Sequence, residues 1–372
     1  MPYAKDFFSH LGDARPFKAG ELEHNALAQA DALLVRSTTS VGKDIIAMAG
    51  NLKFVGTATA GFDHLDIIQL KQNNIEVSVA AGCNAIAVAQ YVFSALLQLS
   101  QEDNFTLDDR TVAIVGAGNT GTALSRLLDA CHIAYILYDP PAQENGDARV
   151  FGSFEDVLQA DIISLHTPLT KNVKYPTLHM FSREQLIGLR SDQYLVNACR
   201  GEVINNDELL ALFQEGKSLN IVLDVWENEP NITTDLIPFL RFATAHIAGH
   251  TLEGKAKGTA MLYDALCNWI KTPPSVFLEN LLPTYESQQP FAFGVENDTL
   301  DFVYKCCLQM YDIAKDDRVF RSSMAQSNAF KDIRRNYPER REYSALKITN
   351  SKQIENNKSA EILRKLGFTF TD

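Results

Sequence analysis

Residues 111–139 contain, in order, the strings Thr-Val-Ala-Ile-Val, Gly-Ala-Gly-Asn-Thr-Gly and Ile-Ala-Tyr-Ile-Leu-Tyr-Asp. The apolar, largely β-branched run Val112–Val115 predicts a buried strand, and leucines at helical spacing predict a helix over Asn119–Cys131. A second apolar run, Ile133–Tyr138, predicts the next strand. A strand, a glycine turn, a helix and a strand in this order are typical of a dinucleotide-binding domain.

The three glycines have separate tasks in such a turn. Gly116 permits the tight turn, Gly118 lets the backbone approach a pyrophosphate, and Gly121 brings the helix close to the sheet. Asn119 and Thr120 then lie in the first helical turn, whose free N–H groups face the phosphates. The motif therefore predicts that these five residues bind the cofactor.

Asp139 follows Gly121 by 18 residues, at the end of the second predicted strand. A carboxylate at this position accepts hydrogen bonds from both hydroxyls of the adenosine ribose and repels a 2′-phosphate. No lysine or arginine occurs in Pro140-Pro141-Ala142. The sequence therefore predicts NAD, rather than NADP, as the cofactor.

The composition restricts the class of protein and its partners. The chain has 372 residues and a net charge of −12, so we expect two or three domains and neither nucleic acid nor an anionic membrane as a partner. No transmembrane run and no secretory signal pattern is found. The cysteines form no CxxC pair and predict reduced thiols in a cytoplasmic protein. They are Cys83, Cys131, Cys199, Cys267, Cys306 and Cys307.

Strands and helices alternate along most of the chain. The alternation predicts an α/β fold, with a Rossmann-type doubly wound parallel sheet domain and a smaller flavodoxin-like α/β domain before it. A leading strand is expected in the smaller domain, yet the sequence proceeds from Met1 to the helix-like Ala4–Leu11. The other predicted strands are Ala32–Val35, Phe54–Thr57, Ile75–Val79, Asp161–His166, Gln193–Asn197 and Leu219–Val225.

Two long helices, predicted at Ala85–Ser100 and Leu252–Ile270, mark the domain boundaries. They divide the chain into a substrate domain of residues 1–86 with 252–272, an NAD-binding domain of residues 87–251, and a C-terminal α+β module of residues 273–372. In this module the sequence predicts helices at Asp301–Ala314 and Glu361–Leu366 and a strand at Tyr343–Ile348.

Polar side chains follow the later strands, at the sheet edge where ligands of doubly wound folds bind. Arg200 offers a planar fork for a carboxylate, and His246 is a base near neutral pH. Glu229 is an anion that can hold the imidazole and stabilise its protonated form. Oxidation of an alcohol by hydride loss requires that a proton leave the hydroxyl, and these three residues can supply that chemistry.

Four segments occur in the order and spacing of the D-2-hydroxyacid dehydrogenases, which the chain resembles from end to end. They are His166–Leu169, Asn197–Gly201, Asp224–Pro230 and His246–Gly249. The resemblance implies that Arg200, Glu229 and His246 are the catalytic residues, with His246 as the proton donor or acceptor. It also implies NAD contacts by Asp139, Thr167, Ala198, Cys199, Arg200, Asp224 and Gly249.

Further segments are similar to the branch of this family that oxidises 4-phospho-D-erythronate in pyridoxal phosphate biosynthesis. The resemblance implies a cytoplasmic homodimer paired through the C-terminal module, and substrate contacts by Ser37 and Thr59. Where relatives have a substrate-contacting tyrosine this chain has His250, which can still donate a hydrogen bond. The segments are Met1–Ala4, Val35–Ser37, Gly56–Gly61, Gly82–Val88 and Arg340–Tyr343.

A phosphate on the substrate needs cationic partners of its own, because the carboxylate occupies Arg200. Arg36, next to Ser37 at a predicted strand end, is the expected phosphate ligand. Arg340 and Arg341 are the second choice, although a solvated charged turn is the more ordinary interpretation of these two.

Two alternatives stay open at this point: a dehydrogenase of another D-2-hydroxy acid, such as 3-phosphoglycerate or a D-lactate-like substrate, and an NAD(H)-sensing binding protein of the same fold. His246 and His250 do not predict a metal site, because Gly249 breaks the helix that would align them and no third ligand is evident. Residues 249–255 resemble a phosphate loop but lack its hydroxyl residue, since Ala256 stands there. No GxSxG elbow of a serine hydrolase occurs.

Overall fold

Strands and helices alternate in the computed structural model, which describes residues 1–18, 20–285, 299–326, 328–349 and 357–371. The strands are β1 Ala32–Val35, β2 Phe54–Thr57, β3 Glu76–Val79, β4 Thr111–Val115, β5 Ala134–Tyr138, β6 Ile162–Leu165, β7 Tyr194–Asn197, β8 Asn220–Leu223, β9 Phe242–Ala243, β10 Lys347–Thr349 and β11 Thr369–Thr371. The helices are α1 Ala4–Phe8, α2 His24–Gln29, α3 Lys43–Met48, α4 Ile67–Gln72, α5 Ala85–Glu102, α6 Asn119–Ala130, α7 Pro140–Glu144, α8 Phe154–Gln159, α9 Arg183–Gly188, α10 Asn206–Gln214, α11 Leu252–Trp269, α12 Leu300–Met310, α13 Ile313–Ser323, α14 Ala329–Arg335 and α15 Lys358–Leu366. None of the described helices combines the length and the apolar composition needed to cross a membrane.

The chain divides into two compact units. The first comprises Met1–Asn84 with Thr251–Thr284, and the second Ala85–His250 with Tyr285–Asp372. The expected boundaries after residues 86 and 251 lie within two residues of this division. Residues from 285 onward group with the larger sheet, so a separate domain of residues 273–372 stays a prediction.

The first unit is a three-stranded parallel sheet in the order β1-β2-β3. One cluster of buried side chains includes Leu33, Val55 and Leu70, and a second includes Phe7 of α1 and Tyr263 of α11. Burial of apolar surface on both faces of a sheet is what the near-continuous apolar strand sequences require. The unit therefore has the helix-covered parallel sheet that the alternation predicts.

The second unit contains a six-stranded parallel sheet in the order β5-β4-β6-β7-β8-β9. The strand order reverses at β4, because this strand pairs with β5 on one side and with β6 on the other. Ligands of doubly wound folds bind at the carboxyl ends of the strands at such a reversal. The sequence did not predict β9, whose two residues are both buried.

The C-terminal residues of the second unit differ most from expectation. The single helix predicted at Asp301–Ala314 is two helices, α12 and α13. The break between them is held by Ser94 of α5, whose Oγ donates to the Tyr311 carbonyl and accepts from Ile313 N, each at 3.0 Å. The strand predicted at Tyr343–Ile348 is a 3₁₀ turn, Tyr343–Ala345, followed by β10.

Candidate active site

The glycine turn after β4 fits the close approach of a dinucleotide. Gly116 has a φ of 97°, and a side chain there would lie 2.7 Å from the His166 carbonyl. A side chain at Gly121 would collide with the Gly116 carbonyl, whereas one at Gly118 would meet nothing within 4 Å. Asn119 begins α6, and no side chain caps the helix, so its first N–H groups are available to phosphates.

Asp139 ties the end of β5 to this turn. Its Oδ2 accepts a hydrogen bond from Ala117 N at 2.8 Å, and its Oδ1 accepts one from Ala142 N at 3.0 Å. Each carboxylate oxygen can accept a second hydrogen bond, so both retain capacity for a ribose hydroxyl. The residues of this edge therefore fit NAD.

Arg149 also reaches the glycine turn and was missed at the sequence level. It donates to the Ala117 carbonyl at 2.8 Å and to Thr122 Oγ1 at 2.9 Å. Arg149 is ten residues after Asp139, beyond the segment Pro140-Pro141-Ala142 in which a cation next to the ribose site would be expected. Asp147 Oδ2 lies 2.6 Å from Arg149 Nη2, so the positive charge of Arg149 is partly compensated.

His246 and Glu229 form the hydrogen-bonded pair that the sequence predicts. His246 Nδ1 lies 2.7 Å from Glu229 Oε2, while Trp226 N donates to Glu229 Oε1 at 3.0 Å. Burial alone would raise the pKa of Glu229, but the His246 hydrogen bond and charge, the Trp226 amide and the charge of Arg334 together lower it. Glu229 is therefore held as the carboxylate, and its contact with the ring does not use Nε2 of His246.

Asp224 supports the loop that carries His246. Its buried carboxylate accepts hydrogen bonds from Thr244 Oγ1 at 2.7 Å, Ile247 N at 2.7 Å and Ala248 N at 3.0 Å. These bonds surround His246, whose backbone has a φ of 54°. A left-handed conformation is costly for a residue with a side chain, so the hydrogen bonds help to hold the ring in place. The contact of Asp224 with NAD stays a prediction.

The loop after β7 presents Arg200. Asn197 shapes this loop, because its amide group donates to the Arg200 carbonyl at 2.9 Å and accepts from Cys199 N at 3.2 Å. Arg200 Nη1 in turn donates to the Cys199 carbonyl at 2.7 Å. Thr167 Oγ1, after β6, lies 4.0 Å from Cys199 Sγ. The carboxyl ends of β6 and β7 thus bring Thr167, Cys199 and Arg200 into one area, with Ala198 between them in sequence.

Comparison with known proteins matches this architecture. The family model described as D-isomer specific 2-hydroxyacid dehydrogenase, NAD binding domain, matches residues 89–251, and a domain of unknown function matches residues 281–367. The erythronate-4-phosphate dehydrogenase of Pseudoalteromonas atlantica is 44% identical over 99% of this chain and 97% of its own. That of Cronobacter sakazakii is 42% identical over 100% of this chain and 97% of its own.

The chain belongs to the erythronate-4-phosphate dehydrogenases, within the D-isomer specific 2-hydroxyacid dehydrogenase family. It is an NAD-dependent oxidoreductase, and NAD is its cofactor. Among solved structures, an NAD-dependent formate dehydrogenase from Staphylococcus aureus with NAD has a TM-score of 0.55 and 26% identity, covering 68% of this chain and 83% of its own. The NAD+-bound 3-phosphoglycerate dehydrogenase of Entamoeba histolytica shares the fold, with a TM-score of 0.60, 23% identity, and coverage of 72% and 89%.

A second histidine–carboxylate pair involves the loop that carries Glu229. His179 Nε2 is 2.7 Å from Glu227 Oε1, and Glu227 Oε2 accepts from Asn206 N at 2.7 Å. The side chain of Asn206 in turn accepts a hydrogen bond at Oδ1 from Glu227 N, at 3.2 Å. Glu227 is two residues from Glu229, so these bonds tie the Glu229 loop to the start of α10. The sequence around His179 contains no motif that predicts this pairing.

Arg36, in the first unit, has the properties of an anion ligand. Burial lowers the pKa of its guanidinium, although the nearby Cys83 acts in the opposite direction. Its Nη1 is buried and donates no hydrogen bond within the described residues. A buried cation without a protein acceptor is costly, and an anionic ligand would remove that cost. Ser37, next to it, is exposed.

Thr59 is part of a hydrogen-bonded chain in the first unit. Its hydroxyl donates to the Gly61 carbonyl at 2.8 Å and therefore accepts from Thr57 Oγ1, at 2.7 Å. Thr57 in turn lies 2.9 Å from His64 Nε2. Because the Thr59 hydrogen is used within the loop, its predicted substrate contact would have to be accepted rather than donated. His64 was also missed at the sequence level.

The expectation that Arg340 and Arg341 lie in a solvent-exposed turn is wrong. Arg340 and Arg341 are 6% and 7% exposed, so they do not form a solvated charged turn. Arg340 donates to the Ala248 carbonyl at 3.0 Å, and its guanidinium lies 3.9 Å from the ring centre of Tyr311. Its charge is stabilised inside the protein, where carbonyls and an aromatic face replace water.

His250 and Gly249 lie in the turn after His246. The His250 ring packs edge-on against Tyr337, with 5.9 Å between the ring centres. Its amide donates to the Ile247 carbonyl at 2.8 Å. The predicted roles of His250 toward the substrate and of Gly249 toward NAD stay predictions. The described residues contain no group of three histidine, cysteine or acidic side chains that could hold a metal.

Proposed function

We propose that this dehydrogenase oxidises 4-phospho-D-erythronate to (R)-3-hydroxy-2-oxo-4-phosphooxybutanoate in pyridoxal 5′-phosphate biosynthesis. The observation that carries the proposal is the pair formed by His246 and Glu229, 2.7 Å apart, in a chain whose relatives of 42–44% identity are named erythronate-4-phosphate dehydrogenase. The pair provides general-base chemistry, and the relatives' names supply the substrate class.

The proton and the substrate are handled by side chains of this chain. Neutral His246 takes the hydroxyl proton at Nε2, while ionised Glu229 at Nδ1 stabilises the imidazolium that forms. Arg200 binds the substrate carboxylate through its planar guanidinium. The oxidation also needs a hydride acceptor, which bound NAD+ supplies. The reverse transfer, from imidazolium to a 2-oxo acid, uses the same residues.

Arg36 is the proposed ligand of the substrate phosphate. Its guanidinium lacks a carboxylate partner among the described ion pairs, and one of its nitrogens is buried without an acceptor. A phosphate would provide both charge and acceptors. Ser37, Thr59 and His250 are proposed as further substrate contacts on the resemblance alone.

The chain is also proposed to act as a cytoplasmic homodimer that pairs through the C-terminal module, residues 273–372. Support comes from the two-stranded sheet of β10 and β11, since so small a sheet is marginal alone. The six free cysteines suit a reducing compartment. Light scattering on the purified chain tests the pairing, and a monomer at micromolar concentration would refute it.

A substrate panel tests the proposed reaction. The purified chain with NAD+ should form NADH from 4-phosphoerythronate with a kcat/KM at least about 10²-fold above those for erythronate, 3-phosphoglycerate and D-lactate. Equal or faster turnover of one of the other acids would assign a different substrate. NADH binding without turnover of any acid would indicate an NAD(H)-sensing protein.

A further inference from the structure

The C-terminal helices of the second unit are bonded directly to the segment that leads into the catalytic loop. Asp317 of α13 accepts a hydrogen bond from Ala243 N at 2.8 Å, and Arg321 donates to the carbonyls of Ile237 at 2.6 Å and Leu240 at 2.8 Å. Asp317 and Arg321 also pair with each other at 2.8 Å. These contacts fix α13 relative to β9, three residues before His246.

Arg334, on the following helix α14, reaches the catalytic pair. Its Nη1 lies 3.8 Å from Glu229 Oε2, the oxygen that His246 Nδ1 contacts at 2.7 Å. A separation of 3.8 Å is too long for a hydrogen bond, so Arg334 acts on Glu229 through its charge. The Nε of Arg334 is buried and finds no acceptor among the described residues. Its side chain is 33% exposed.

A cation at this place acts on both members of the pair. It stabilises the carboxylate of Glu229, and it repels the imidazolium that forms when His246 takes a proton. Both effects favour an ionised Glu229 beside a neutral ring. That is the charge state from which alcohol oxidation starts.

The other charged groups near the pair have bonds of their own. Asp224 uses its carboxylate beneath the His246 loop. On the C-terminal side, Asp316 accepts from the hydroxyls of Tyr311 and Tyr337, and Arg340 donates to the Ala248 carbonyl. In the proposed function Arg200 binds the substrate carboxylate. These groups are the same in the unmodified protein and in an Arg334 variant. Substitution of Arg334 therefore changes one charge near the pair and leaves the others as they are.

We propose that Arg334 is a positioning residue which the C-terminal helices supply to the active site, where it sets the charge state of the Glu229–His246 pair. The segment of unknown function that matches residues 281–367 thereby acquires a role in catalysis, in addition to any role in pairing subunits. The inference rests on the proposed oxidation, since the pair must act as a base for its charge state to matter.

Arg334→Met tests the inference through the pH profile of kcat/KM for oxidation. Loss of the cation favours the imidazolium, so the acid limb should move to higher pH by about half a unit to one unit, as expected for a partly exposed charge near the pair. Above the limb, kcat/KM should approach that of the unmodified protein. Arg334→Lys keeps the charge, so its acid limb should stay close to that of the unmodified protein.

Arg335→Met is the matched control, because Arg335 is the next residue of α14, is 74% exposed and pairs with Asp332. It should leave the profile unchanged. An unmoved acid limb in a folded Arg334→Met protein with normal NADH binding would overturn the inference, as would a uniform loss at every pH or a Lys variant that behaves like Met. The unmodified protein is assayed first, so failure of the proposed reaction is seen separately as absence of turnover.

Discussion

The imidazole Nδ1 of His246 lies 2.7 Å from Oε2 of Glu229, and this contact leaves the opposite ring nitrogen, Nε2, unused by the carboxylate. The two residues are 17 positions apart in the chain and come from different loops of the same sheet edge. In the proposed oxidation, the contact fixes which nitrogen exchanges the proton. In the same proposal, it places the Glu229 carboxylate where positive charge would develop on His246 during oxidation.

The first prediction concerns this pair. His246→Asn should lower kcat for oxidation by about 10²–10⁴-fold, because the general base is lost. NADH binding, followed by fluorescence, should persist, since the glycine turn and Asp139 are separate from His246. A joint loss of binding and turnover would show that His246 is structural.

The second prediction concerns cofactor choice. Asp139→Asn keeps one oxygen that can accept from Ala117 N or Ala142 N, but it removes the charge that repels a 2′-phosphate. The ratio of kcat/KM with NAD to kcat/KM with NADP should therefore fall about tenfold. Asp139→Ala should show the same change in preference and, in addition, lose roughly 1 kcal/mol of stability with the cap of α7. An unchanged ratio in both variants would remove Asp139 from the ribose site.

The third prediction separates the two anionic ends of the substrate. Arg36→Met should reduce kcat/KM for 4-phosphoerythronate by about 10- to 100-fold, because a charge-assisted hydrogen bond contributes a factor of this size. The kcat/KM for erythronate, which has no phosphate, should change little. Arg200→Met should damage both reactions. Lys53→Met serves as a control for loss of an exposed cation in the same unit. Equal losses for both substrates in the Arg36 variant would refute the phosphate assignment.

Local sequence patterns were sufficient for the nucleotide-binding half of the molecule. The strand predicted at Val112–Val115 is observed with one more residue, and the helix predicted at Asn119–Cys131 ends one residue earlier. Periodicity and glycine positions act over a few residues, so they can be recognised without knowledge of the tertiary structure. The pairing of His246 with Glu229 was expected on other grounds, namely the chemistry of the two residues and the resemblance to the D-2-hydroxyacid dehydrogenases, because β9, which precedes His246, was not predicted.

Long-range contacts were the part that could not be predicted. Ser94 holds the break in the helix expected at Asp301–Ala314 from more than 200 residues away, and the only local sign of the break among these residues is Asp312, which caps α13. Arg334 meets Glu229 across 105 positions, and Arg340 is buried because an aromatic ring and backbone carbonyls receive it. Such placements depend on tertiary packing, which overrides the ordinary preference of arginine for solvent.

The last prediction is a pH dependence of stability that arises at the end of β6. Burial lowers the pKa of His166 to about 4, and its Nε2 lies 2.8 Å from Ser164 Oγ while its Nδ1 is buried without a hydrogen-bond partner within the described residues. The folded state therefore keeps the ring neutral, whereas the unfolded chain binds a proton below its ordinary pKa of about 6.5. The free energy of unfolding should fall as the pH drops from about 6.5 toward 4, and linkage gives a loss of about 2 kcal/mol between pH 7 and pH 5 from this residue.

Urea unfolding of the chain and of His166→Gln at the two pH values measures this contribution. The variant should be less stable at pH 7 because the ring packs in the interior, but its stability should decline less between pH 7 and pH 5. The comparison of the two declines removes the effect of all other titrating groups, since they are common to both proteins. Parallel declines would mean that His166 is protonated in the folded state as readily as in the unfolded chain.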